Sequence, residues 1–117
     1  MIDEKARELG RLIGQSKEYQ ELRRANESLG QDAEAVKLLR QMEQLRTEAQ
    51  RMIERGERPM AEMERQLDDL LSKVQVQPAY QRLIAAQENF DKTMARVNEW
   101  ILDGIDKGAA SPIIMLG

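Results

Sequence analysis

Residues 32–75, DAEAVKLLRQMEQLRTEAQRMIERGERPMAEMERQLDDLLSKVQ, decide the fold. Leu38, Met42, Leu45, Ala49 and Met52 recur at alternating spacings of four and three, and Met60, Met63, Leu67, Leu70 and Val74 at three and four. An apolar residue every 3.5 positions stays on one side of an α-helix, so each run marks a helix with one apolar seam. Asp32 offers a carboxylate to the orphan N–H groups that open the first of them. Gly56 supplies the backbone freedom that ends it near Arg55, and the fixed φ of Pro59 suits the first position of the next. The stretch predicts two helices folded back on each other as an antiparallel hairpin.

Toward the C-terminus, Val76, Gln77 and Pro78 break the pattern, and Tyr80, Leu83, Gln87, Phe90, Met94, Val97 and Ile101 resume it through a long last helix ending near Lys107 and Gly108. Toward the N-terminus, Ser16 caps a segment in which Tyr19, Leu22, Ala25 and Leu29 keep helical spacing until Gly30. Before it, Asp3 opens a short helix with Ala6, Leu9, Leu12 and Ile13 on one face, closing at Gly14. These first two segments fit either two helices or one bent helix. Residues 109–117 hold Pro112 and the apolar run Ile113–Leu116, too short to span a bilayer and too apolar for an ordinary solvated end.

The expected organisation is one helical domain over 1–108 and a short apolar tail over 109–117. Its fold class is all-α: an antiparallel helical bundle with long heptad-patterned helices. Seams confined to heptad positions are narrower than the apolar face of a globular helix, and one short chain encloses only a thin core with them. A dimer, or a hetero-oligomer with related helical proteins, thickens that core. The candidate interface residues are Leu38, Met42, Leu45, Met63, Leu67, Leu70, Phe90, Met94, Val97 and Ile101. Met42, Met52, Met60, Met63 and Met94 lie on the stripes and read as core filler, although methionine also suits adaptable partner surfaces. Gln87 and Asn98, at or beside the last seam, are either register-setting buried amides or solvated groups.

Composition narrows the chemistry. The 117 residues include no Cys and no His, so disulfides, thiolates, iron–sulfur ligands and the usual neutral-pH base are all missing. The serines at 16, 28, 72 and 111 have no histidine base and stand in no Ser-x-x-Lys pattern. Carboxylate pairs such as Glu62 with Asp69 lack the Glu-x-x-His motif of helical di-metal sites. Acids and bases spaced four apart, Asp3 with Arg7, Asp69 with Lys73, Glu88 with Lys92 and Asp103 with Lys107, read instead as ordinary wet helix faces. No enzyme, cofactor or metal site is expected.

The net charge of −3 is mixed along the chain, which makes nucleic acid an unexpected partner. The alternative is a basic stripe on the third helix, Lys37, Arg40, Arg51 and Arg55, facing RNA, although Glu43, Glu48 and Glu54 dilute it and no aromatic stands by to stack bases. The opening Met-Ile-Asp-Glu-Lys-Ala-Arg has no signal-peptide character, and no run approaches the roughly 18 apolar residues of a membrane span. A cytoplasmic location without membrane insertion is the expectation.

The order of these features resembles the YlbF/YmcA-like family of small helical bacterial regulators. Leu9-Gly10 with Ile13, Ser16-x-Glu18-Tyr19-x-x-Leu22, Asp32-x-Glu34-Ala35, the Gly56 turn, and Tyr80 followed by Val97-Asn98-x-x-Ile101 carry the resemblance, over roughly residues 3–105. It implies long antiparallel helices, oligomerisation and a non-catalytic adaptor role in the control of competence, sporulation and biofilm formation, through a complex that influences a ribonuclease. It also implies iron–sulfur clusters held by cysteines, which a chain without Cys cannot hold, so the sequence is similar to a cysteine-free branch.

Overall fold

In a computed structural model of the chain, the backbone is described for residues 1–116 and side chains for 1–110. Five helices follow one another, α1 (Ile2–Gly14), α2 (Lys17–Gln31), α3 (Ala33–Glu54), α4 (Ala61–Gln75) and α5 (Pro78–Leu116), with no strand among the described residues. The all-α expectation holds.

The breaks between helices are made by side-chain caps and one left-handed turn. Ser16 is extended, its Oγ accepts from the backbone N–H of Tyr19 at 3.2 Å, and it separates α1 from α2, which are therefore two helices. Asp32, also extended, accepts from the N–H of Ala35 at 3.0 Å. It is at once the end of α2 and the cap of α3, so Gly30, expected to interrupt the chain, stays inside α2. Nothing at Gly30 requires a positive φ, and the change of direction belongs to Asp32.

Gly56, at φ +79°, ends α3. Its N–H donates to the Ile53 carbonyl at 3.0 Å and that of Glu57 to the Met52 carbonyl at 2.8 Å, the paired bonds of a Schellman turn. That turn leads into extended chain, and Met60 with ψ 148° caps α4. Pro59 is thus not the first residue of the helix, which begins two residues later. At the other break Pro78 does open α5. Asp3, expected as a cap, lies within the first turn of α1, which begins at Ile2, and its carboxylate pairs with the terminal ammonium of Met1 at 2.8 Å. At the far end α5 does not stop near Gly108, which keeps a helical φ, and the backbone helix continues to Leu116. How the side chains of Ile113–Leu116 pack lies outside the described residues.

Two helix pairs share the packing. Leu22 and Ala25 of α2 gather with Ala86 of α5, with Leu83 and Phe90 against them, and Tyr19 meets Phe90. Moving back along α2 moves forward along α5, so the two are antiparallel. Leu38 and Met42 of α3 gather with Val74 of α4, with Leu39, Leu70 and Tyr80 against them. The residues farthest from the Gly56 turn meet each other, the arrangement of the expected hairpin. Val74, 1% exposed, is the best-buried large side chain.

Because the pairs meet near the α2–α3 and α4–α5 junctions, the molecule is a rod of 69 × 37 × 20 Å. Its radius of gyration is 21.7 Å, against about 13 Å for a compact domain of this length. A rod buries little: ten hydrophobic residues form the core and no polar side chain is buried among the described residues.

Candidate interaction surface

The α5 stripe that meets α2 does not end where α2 ends. Ala86 and Val97 are buried and Phe90 and Met94 half-buried, yet every residue from Asn98 to Ala110 is exposed. That bare stretch carries Trp100 (68% exposed), Leu102 (61%) and Ile105 (57%), with Ile101 also exposed. On a helix turning 100° per residue, Glu99, Asp103, Asp106 and Lys107 fall within an arc of about 100°. The remaining circumference is apolar apart from Asn98. Joined to α2 just before Tyr19, the residue that meets Phe90, α1 has no buried residue and leaves Ile2 and Leu12 exposed. Large bare apolar areas on a soluble protein mark contact sites.

The candidate interface residues divide accordingly. Leu38, Met42, Met63 and Val97 are buried inside the chain, and Leu45, Leu67, Leu70, Phe90 and Met94 are half-buried. Ile101 alone among them is exposed. The seams of α3 and α4 are largely spent on each other, leaving Leu45 and Leu70 to line an open groove with Gln41, Gln44, Glu48, Gln66 and Asp69. Among the methionines, Met42 and Met63 are core, Met52 and Met94 half-buried, and Met60 is exposed beside the hairpin turn. Gln87 and Asn98 are both solvated, and Gln87 Nε2 donates to Asp91 Oδ1 at 2.9 Å.

Trp100, Leu102 and Ile105 escaped a reading that followed only the heptad positions. The clustering of four charges on one arc was the signal that would have found them.

The basic stripe is real but diluted. Lys37, Arg40, Arg51 and Arg55 are all exposed on α3, within about 60° of one another around the helix. Glu48 lies about 20° beyond one edge of that arc, and Arg55 pairs with Glu57 at 3.5 Å. The expected pairs Asp69–Lys73 and Asp103–Lys107 form, at 3.1 and 2.9 Å. Asp3 pairs with the terminal ammonium in place of Arg7. Among the described residues no three acids gather to hold a metal, and no helix is long and apolar enough to cross a membrane.

The described residues thus form a slender all-helical rod with an unsheltered apolar end. The chain belongs to the YlbF/YmcA family, described as control of competence regulator ComK, whose pattern matches residues 2–106. No curated protein matches it.

Proposed function

We propose that this chain is a non-catalytic, cytoplasmic adaptor that regulates by holding other proteins, with the bare end of α5 and α1 as its contact surface. One observation carries the reading: an apolar arc on residues 98–110 that nothing among the described residues covers. Membership of a family described as regulatory supports it, as does a residue inventory without Cys or His. Related helical proteins and, by resemblance, a ribonuclease are the partners to expect, in the control of cell fate.

The test is recovery of the tagged full chain from its native cell, in the wild type and in a Trp100→Asp, Ile105→Asp variant. Both substitutions fall on exposed positions, so helicity should be unchanged. A defined protein retained by the wild type and lost from the variant supports the reading. Partners held equally by both, or none held by either, would overturn it. RNA binding through Lys37, Arg40, Arg51 and Arg55 remains the alternative, and no structural observation favours it over protein contact.

A further inference from the structure

We propose that the groove between α2 and α5 is a separate docking site, which takes an acidic amphipathic helix of another protein. It lies on the sheltered part of α5, apart from the bare end described above, and is marked by charge instead of bare apolar area. It goes beyond the reading of that end and does not need it.

The groove forms where the two helices pack side by side. Leu22, Ala25 and Ala86 close the seam between them, and on one flank Ala25, Ala85 and Ala86 make a floor of small side chains. Arg24 and Ser28 of α2 stand along one wall, and Arg82 and Asn89 of α5 along the other. Small side chains on a floor let a further helix approach closely. From Arg82 to Arg96 the α5 wall runs about 20 Å, the length of four helical turns.

The walls are basic in a chain whose net charge is −3. At 100° per residue, Lys92 and Arg96 fall within about 60° of Asn89, and Lys17 within about 20° of Arg24. The groove therefore carries Lys17, Arg24, Arg82, Lys92 and Arg96, with one carboxylate, Glu21, on its walls. Glu21 is taken by Lys17 at 3.8 Å. The other four cations are exposed and have no ion-pair partner among the described residues, and the Glu88–Lys92 pair that spacing suggests does not form. Like charges held along one groove raise its potential, which draws in groups of the opposite sign.

Their spacing fits a helical partner. Lys17 and Arg24 are seven residues apart, and Arg82, Asn89 and Arg96 follow the same interval. Positions flanking a helix seam recur at that interval, and in packed helices they carry the ion pairs that choose the partner. A helix laid on the alanine floor, with Asp or Glu at its own flanking positions, meets both walls once every two turns. RNA is the poorer fit, because no aromatic side chain stands on the walls to stack a base.

The experiment titrates purified full-length protein into a fluorescein-labelled amphipathic peptide of about 15 residues, with Ala and Leu on its inner face and Glu at its flanking positions. A scrambled peptide of the same composition and a single-stranded RNA are the comparison probes. The expected result is saturable binding of the ordered peptide that weakens with salt and falls about tenfold in the Arg82→Glu, Arg96→Glu variant. Binding should be unchanged in Arg51→Glu, Arg55→Glu and in Trp100→Asp, Ile105→Asp. All six positions are exposed, so each variant should keep the helicity of the wild type. Equal binding of the scrambled peptide, or tighter binding of RNA, would overturn the helical partner. No binding at low salt, or binding lost in Trp100→Asp, Ile105→Asp, would overturn the groove and leave the reading of the α5 end to its own test.

Discussion

The rings of Tyr19 and Phe90 stand 5.5 Å apart at an angle of 59°, locking the start of α2 to the middle of α5. Tilted aromatic pairs at this separation add a directional attraction to the area they bury. Phe90 packs against the Leu22–Ala86 cluster, and α5 stays sheltered for two further turns, through Met94 to the buried Val97, before its bare stretch begins at Asn98.

Phe90→Ala should lower the stability of the fold by about 2 kcal/mol, less than for a fully buried phenylalanine because the ring is half-exposed. Urea titration followed by circular dichroism measures this. Tyr19→Ala in the same background should add less than its single effect, since the two rings share one contact.

The caps are separable from the seams. Asp32→Ala should cost about 1 kcal/mol, as should Ser16→Ala, because each removes the acceptor of an orphan backbone N–H. Asp32→Asn should recover most of the loss, since an amide oxygen caps nearly as well. Equal thermal midpoints for wild type and Asp32→Ala would contradict the role assigned to this break.

Glycines in the fold predict opposite signs. Gly56→Ala should destabilise by about 1–2 kcal/mol, because φ +79° strains any residue bearing a Cβ even though the space there is open. Gly30→Ala should stabilise by about 0.5–1 kcal/mol, because Gly30 is helical and a methyl there meets nothing. Denaturant midpoints of the two variants should move in opposite directions.

Charge reversal on α3 discriminates the two functional readings. Under the protein-contact reading, Arg51→Glu with Arg55→Glu leaves partner recovery unchanged, and the wild type shows no salt-dependent retention of single-stranded RNA. If the wild type binds RNA at low salt and the double variant weakens it and flattens its salt dependence, the α3 stripe is the functional surface instead.

Acid should break the ion pair at the N-terminus only well into the acid range. The terminal ammonium of Met1 and the backbone N–H of Glu4 hold the Asp3 carboxyl below its ordinary 3.8. A folded value below the unfolded one contributes stability that is present above the unfolded pKa and is lost as pH falls through the lowered value. With no His or Cys in the chain, no side chain has its ordinary pKa between about 5 and 7. Urea midpoints should be flat over that range, and helicity should decline only in stronger acid.

The hairpin was legible in the sequence because Leu38, Met42, Leu70 and Val74 obey a periodicity that only a paired helix can use, and because Gly56 has one local task. The caps at Ser16 and Asp32 were legible for the same reason, each acting on a backbone N–H three residues away. Pro59, Asp3, Gly30 and Gly108 misled because each was compatible with a helix boundary but did not compel one. Only the turn bonds after Gly56, the ammonium of Met1 and the extended backbone of Asp32 fixed where the ends fall.

By itself, then, the sequence determined the helices and their apolar stripes, since these depend on local spacing and residue chemistry. The tertiary structure decided which stripes are satisfied within the chain. Met42 and Ile101 occupy like positions on like seams, but Met42 is covered by α4 and Ile101 stays exposed. Burial depends on what stands opposite, and the opposite helix is set by chain lengths and turns far from the residue itself. Here α2 is too short to shelter all of α5, and residues 98–110 of α5 stay exposed.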